Sequence, residues 1–327
     1  MLPLSKIDEA RLAAVVDAAV ATGLAHSIVL GRRPNDEPEA VLAVFSNLVT
    51  AQPAWTAILA PLGLRVEMHG AFIHGTPQVT FHPHKTPNDR CELGDLMIVI
   101  DDRRHGHDDR RALIIQAKLA SGPSLSLTSP GDLKQLDLNM NWPPFEFVPS
   151  AYSIPPHPSP WDFRDRNAPG HVHESSAYGA VDLAGRTWEQ HVPSTPMTMG
   201  TGESLGVTAG KMLVGVGGRK AEIPSASGAT CADDWSETVE RVLRKSASAI
   251  TSKRLGGTAR AWSLWVDTGP ASGFVVAEDY ARHVIGRYLP PPDSTEEDDG
   301  DGGMSTFHVV ISSADDRPDR GTGTLRD

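Results

Sequence analysis

Two stretches constrain this chain more than any others: Leu96-Met97-Ile98-Val99-Ile100 and Ala112-Leu113-Ile114-Ile115, each apolar at every position. A strand with one wet face alternates apolar and polar side chains, so unbroken runs of this length read as central strands covered on both faces. Such strands need layers above and below them, and the flanking sequence supplies the material. Residues 6–25 set Asp8, Glu9, Arg11 and Asp17 among Ala, Val and Leu in the pattern of an amphipathic helix. A second helical stretch covers 39–48 and resumes after Pro53 over 55–59.

Leu64, Val66 and Met68 then alternate with Arg65, Glu67 and His69, the period of a half-wet strand, and 77–84 reads as a further strand or a loop. After the second apolar run, Asp132 stands where it would cap a short helix over 133–141, which Pro143-Pro144 terminates. Phe145 and Phe147 restart a period of two. Helix, strand, strand, strand, helix, strand is the order of an α/β layer structure. The charged connection 101–111 reads as solvated.

Beyond Pro149 the pattern is α+β: strands over 178–183, 212–216, 261–266, 273–277 and 306–312, and helices over 232–245 and 278–288. Tyr152, Trp161 and Phe163 argue that the Pro-rich stretch around them packs on something. The expected organisation is a helical lead over 1–35, an α/β core over 36–150 and an extension over 151–327 with strands able to complete the sheet. The acidic spacer 293–303 can bury almost nothing and is expected to be disordered.

Charge narrows the function. Thirty basic side chains oppose forty-one acidic ones, a net charge of -11, so no broad positive field draws in a polyanion and any nucleic-acid contact has to be local. Cys91 and Cys231 are the only cysteines, which signals neither a disulfide framework nor a thiolate zinc site and suits a reducing, cytoplasmic interior. No basic leader with a long apolar core opens the sequence and no run reaches the length of a membrane span, so no membrane association is expected.

The chemistry-bearing constellation is Cys91-Glu92-Leu93-Gly94-Asp95 at the entry of the first run and Gln116-Ala117-Lys118 at the exit of the second. On neighbouring strands, Asp95 would lie beside Gln116 and Lys118, which are two apart and share a face. Phosphodiester hydrolysis needs a cation held by oxygen ligands, activated water and positive charge near the transition state. Asp95 would hold Mg²⁺ or Mn²⁺, Gln116 would add an amide oxygen or orient water, and Lys118 would orient or help deprotonate the water and face the developing charge.

This arrangement resembles the PD-(D/E)XK, or restriction endonuclease-like, nuclease superfamily in its Gln-x-Lys variant, over 39–148. The resemblance implies a mixed central sheet flanked by helices and a metal-dependent nuclease, acting on DNA before RNA, in defence or repair. It also implies a glutamate on the first core helix, for which Glu39 is the candidate, and a glutamine on the following helix, matched by Gln135. The aromatic residue usual four positions later is replaced by Asn139. Glu92 becomes a further ligand if a bend at Gly94 turns it inward. A Gln in place of the usual acid removes one negative charge, which Glu39 or Glu92 would have to restore. A homo-oligomer or an activating protein partner would supply the positive surface that the acidic chain lacks.

Each residue also has a plainer reading. Gly94-Asp95 suits a turn, Lys118 can extend its ammonium outward from a buried run, and Gln116 can satisfy a neighbour. On those readings the chain is a noncatalytic interaction module built on a degenerate nuclease fold. Among other features, Arg103, Arg104, Arg110 and Arg111 alternate with four Asp and read as a charged hairpin tip. His171, His173 and Glu174 read as a surface loop, with a small-molecule hydrolase as the sharper alternative. Residues 215–220 read as a tight turn rather than a phosphate cradle.

Overall fold

The computed structural model describes residues 2, 4–73, 77–84, 89–104, 108–148, 160–164, 169–224, 230–252, 261–264, 273–277 and 304–314. In chain order its helices and strands are α1 (Lys6–Ala25), α2 (Glu37–Leu48), α3 (Gln52–Leu59), β1 (Leu64–Ile73), β2 (Gln78–Phe81), β3 (Cys91–Glu92), β4 (Leu96–Asp102), β5 (Asp109–Leu119), β6 (Ser124–Leu125), α4 (Pro130–Asn141), β7 (Phe145–Phe147), β8 (Ser176–Asp182), β9 (Thr187–His191), β10 (Met197–Thr198), β11 (Glu203–Ser204), α5 (Leu205–Leu213), β12 (Arg219–Ala221), α6 (Asp234–Ser252), β13 (Ala261–Leu264), β14 (Gly273–Ala277) and β15 (Ser305–Ser313). The expected helix over 278–288, the acidic spacer 293–303 and Tyr152 lie outside the described residues.

The two apolar runs are neighbours: β4 and β5 pair antiparallel from Leu96–Ile115 to Asp102–Asp109. The main sheet has the order β11-β9-β8-β5-β4-β15-β1-β14-β13, with β12 paired to the first part of β5. The pairs β5–β8, β4–β15 and β1–β14 are parallel and the others antiparallel, so the protein is mixed α/β with a mixed central sheet flanked by helices. The late strand β15 separates β1 from β4.

Two cores explain why the central runs do not alternate. Leu96, Ile98, Ile100, Leu113, Ile115 and Ala117 pack with residues of α1, α2, α3 and α5. Met97, Val99, Ala112 and Ile114 pack on the other side with α4, α6 and the small sheet β3-β2-β7. Trp161 and Phe163 join this second core, and the Trp55 indole ties α3 to α1 by donating to the Leu12 carbonyl at 3.2 Å. The stretch 37–62 is long and apolar enough to cross a membrane by length and composition, but 67% of its most apolar window is buried inside the protein.

Three expectations are corrected. Asp132 does not cap α4; Ser129 does, its Oγ accepting from the Asp132 amide at 3.1 Å. Residues 212–216 are not a strand, because Ser204 caps α5 through the Val207 amide at 3.2 Å and carries the backbone into a helix. The turn expected over 215–220 is present at 214–218, and beside it Arg219 is buried and donates to Phe163 O (2.7 Å), Pro169 O (3.0 Å) and Ser175 Oγ (3.1 Å), which holds loops together. Finally, both ends of the charged connection are strand: β4 continues through Asp102 and β5 begins at Asp109.

Asp101 and Arg110 are buried there at 0% and 1% exposure, because they neutralise each other through two hydrogen bonds of 2.7 and 2.8 Å. Arg103 adds bonds of 3.0 and 2.7 Å to Asp101, His308 of β15 lies 3.2 Å from it, and Arg110 reaches Glu240 of α6 at 2.7 Å. Burial would raise the Asp101 pKa, but Arg110 and His308 hold it well below the usual carboxylate range. A depressed carboxylate contributes stability that is complete above its unfolded value of about 3.9 and is lost as pH falls. Arg110→Met, which strips Asp101 of its main partner, is expected to cost about 3–5 kcal/mol at pH 7. Denaturant titration should show that difference narrowing as the pH drops below about 4.

Candidate functional site

The connection from β3 into β4 has to pass close over β5. A Cβ on Gly94 would lie 2.4 Å from the Ile114 methyl carbon and 3.3 Å from the Ile115 carbonyl oxygen, so only glycine allows this approach. The next residue, Asp95, is held at both ends. Its amide donates to Ile115 O at 3.0 Å, and its Oδ2 accepts the Ala117 amide at 2.7 Å and also the Gln116 side-chain amide. The bend at Gly94 also brings Glu92 to Asp95: their carboxyls are hydrogen-bonded. Burial, resisted by that bond and by Lys118, pushes the Glu92 pKa up, with Glu37 adding to the rise. Glu92 therefore favours keeping its proton.

Lys118 leaves β5 beside these acids. Its Nζ lies 3.2 Å from Glu37 at the start of α2 and 3.4 Å from Asp132 at the start of α4. Burial works to lower the Lys118 pKa, but Glu37, Asp95 and Asp132 outweigh it and hold the pKa above its ordinary value. Lys118 is therefore a fixed cation at neutral pH, suited to stabilising negative charge and poorly suited to accepting a proton. Because Ser129 supplies the helix cap, the Asp132 carboxylate is left to face Lys118.

Asp95, Glu92, Gln116 and Lys118 are thus brought together. Glu39 is elsewhere engaged: its carboxylate binds the Arg32 guanidinium and accepts the Asn35 amide at 2.7 Å, while its own amide donates to Asp36 at 2.9 Å. Asp36 therefore caps α2 through the Glu39 amide, and the Glu39 carboxylate is tied back to the residue before the cap and to Arg32 rather than to the site. The glutamate of the first core helix that meets Lys118 is Glu37, which sequence reasoning missed together with Asp132 and Tyr178. Gln135 is half-buried on α4, three residues beyond Asp132 and so on a similar face. Asn139 is buried and its amide bonds back to Gln135 O at 2.8 Å. His171 and His173 are exposed around a single helical turn, with His171 capped against Glu174.

The donors at Asp95 are oxygen only, the chemistry that suits Mg²⁺ or Mn²⁺. Among the described residues no group of three or more His, Cys, Asp or Glu side chains is arranged to hold a metal ion. The third donor available is instead the Gln116 amide: its Oε1 is buried and has no hydrogen-bond partner, while its Nε2 is fixed on Asp95. Two carboxyls and an orphaned amide oxygen fit a divalent cation.

The carboxyl pair makes a pH-dependent prediction. A carboxyl with a raised folded pKa contributes stability that is complete below its unfolded value of about 4.3 and is lost as pH rises through the folded value. Glu92→Gln, which removes the strained charge, is expected to stabilise the cation-free protein by about 0.5–2 kcal/mol at pH 8 and by less at pH 5, as read from thermal melts. Comparison of the chain with protein-family models, curated proteins and solved structures finds no match.

Proposed function

We propose that this protein is a divalent-cation-dependent nuclease of the restriction endonuclease-like type that hydrolyses phosphodiester bonds, in DNA before RNA. The observation that carries the reading is the meeting of Asp95, from the entry of β4, with Gln116 and Lys118, from the exit of β5, around one buried carboxyl pair. A helix, α4, follows β5 and leads to β8, which pairs parallel to β5 and widens the sheet at the same end.

Bound Mg²⁺ or Mn²⁺ would supply Lewis-acid activation of water and phosphate. Asp95, Glu92 and the Gln116 amide oxygen are the groups that would hold it. The Ala117 amide and the Gln116 Nε2 keep Asp95 in one rotamer by occupying its Oδ2. Lys118, cationic throughout the neutral range, would face the charge that develops on the phosphate. Contact with a polyanion by so acidic a chain implies a local surface, a second copy or a protein partner. Free cysteines suit a cytoplasmic setting.

A noncatalytic module on the same core is the competing reading, favoured by the capture of the Lys118 ammonium between Glu37 and Asp132. The two are separated by incubating the full chain with single- and double-stranded DNA and RNA in Mg²⁺ or Mn²⁺, alongside calorimetric titration of Mn²⁺. The nuclease reading expects Mn²⁺ binding that Asp95→Ala abolishes, and cleavage that Asp95→Ala and Lys118→Ala each lower by about 10²–10³-fold or more. Cleavage unchanged in both variants would refute the assignment, and a wild-type chain that does not bind Mn²⁺ would favour the module.

A further inference from the structure

The floor of the site holds a second group with no evident structural duty. In the parallel β5–β8 ladder Gln116 is the direct partner of Tyr178, and Lys118 of Ala180, so Gln116, Tyr178 and Lys118 share one face of the sheet. Gln116 and Tyr178 are both 0% exposed. Neither the Gln116 Oε1 nor the Tyr178 hydroxyl has a hydrogen-bond partner. Buried polar atoms are nearly always satisfied, and each that is not destabilises a fold. Two orphans on adjacent strands, one an acceptor and the other chiefly a donor, point to a missing occupant.

The surroundings of Tyr178 define what that occupant is. Its ring packs among Leu125, Leu127, Leu136, Ala180 and Met197, a setting that a phenylalanine would serve equally well. The hydroxyl adds a polar atom where packing needs none. Burial first, then the charges of Asp132, Asp95 and Glu37 and the Cys91 thiol, push the phenol pKa up, so it stays protonated wherever the protein is folded. A neutral donor can approach an anionic oxygen inside this acidic cluster, provided a cation accompanies that oxygen. An acceptor for a cation beside a donor for an anion is complementary to a phosphate ester carried with its metal ion.

We propose that the Tyr178 hydroxyl is a substrate-contacting group, donating a hydrogen bond to a non-bridging oxygen of a phosphate ester while the adjacent Gln116 amide oxygen faces its cation. This rests on the nuclease reading of the site and names a residue that reading does not contain. Lys118, on the same face and only partly buried, would exchange its carboxylate partners for the incoming phosphate. A trapped water bridging the two orphans is the bland alternative.

Tyr178→Phe keeps the ring and removes only the hydroxyl. It is tested by calorimetric titration of Mn²⁺ alone and of thymidine 5′-monophosphate in saturating Mg²⁺, with a thermal melt of each protein. The expected result is an unchanged or higher melting temperature, Mn²⁺ affinity within about twofold of wild type, and nucleotide affinity lowered about tenfold, the loss of one hydrogen bond to a charged group. Wild type supplies a second readout. The Tyr178 share of its tyrosine ultraviolet resonance Raman doublet, obtained as the difference from Tyr178→Phe because the chain has four tyrosines, reports phenol hydrogen bonding and is expected to change on adding the nucleotide. Equal nucleotide affinity in the two proteins, or an unchanged doublet, means that the hydroxyl holds water only and overturns the inference. If Asp95→Ala still abolishes Mn²⁺ binding in that case, the nuclease reading survives alone. A wild-type chain that binds neither Mn²⁺ nor nucleotide overturns both.

Discussion

The antiparallel pairing of β4 with β5 is the constraint from which the site follows. Its last ladder step is completed partly by a side chain, because the Asp95 amide donates to Ile115 O while the Asp95 carboxylate accepts the Ala117 amide. Sheet hydrogen bonding and site geometry are therefore the same interaction at this point. Any slip of one residue in this register would turn Gln116 and Lys118 to the other face, where α1, α2, α3 and α5 form an apolar core. Gly94 enforces the register sterically, since a side chain there would strike Ile114.

The two ends of this hairpin treat buried charge in opposite ways. At the far end Asp101 is held by the cationic groups of Arg110 and Arg103, with His308 nearby, and its charge is strongly favoured. At the near end, Glu37, Glu92, Asp95 and Asp132 gather around one cation, Lys118. Coulomb repulsion among partly buried carboxyls is costly in a medium less polar than water. Glu92 relieves it by favouring its proton. The same deficit of positive charge is what the proposed divalent cation would relieve.

The central runs, the helices α1 to α4 and the meeting of Asp95 with Gln116 and Lys118 were legible because they depend on local pattern and on one hairpin. Residues 212–216 were misread because a short apolar run does not distinguish a strand from a buried helix turn, and the capping signal at Ser204 carries the distinction. Glu39 was taken for Glu37 because both acids open the same helix, yet Glu39 is tied back to Asn35 and Arg32 while Glu37 meets Lys118. Tyr178 could not be found from its own sequence surroundings. Its relation to Gln116 exists only in the β5–β8 ladder, across a connection that contains α4 and β7. The ionic core at Asp101 and Arg110 was hidden because charged residues in sequence read as surface until a partner is known.

The late strand extends this dependence on distant sequence. β15 lies between β1 and β4 and pairs with β4 from Leu96 onward, so the strand that follows Asp95 is bonded on one side to β5 and on the other to a segment from near the end of the described chain. His308 of β15 then faces Asp101, whose partner Arg110 reaches Glu240 of α6. Without β15, β4 would be an edge strand with one row of backbone groups unpaired and its two-sided apolar composition partly exposed. The short Asp-to-Lys constellation is thus local in sequence, but the rigidity that keeps its carboxyls crowded is contributed by elements far along the chain. Crowding without that rigidity would relax by letting the acids move apart, and with it would go the electrostatic demand for a cation.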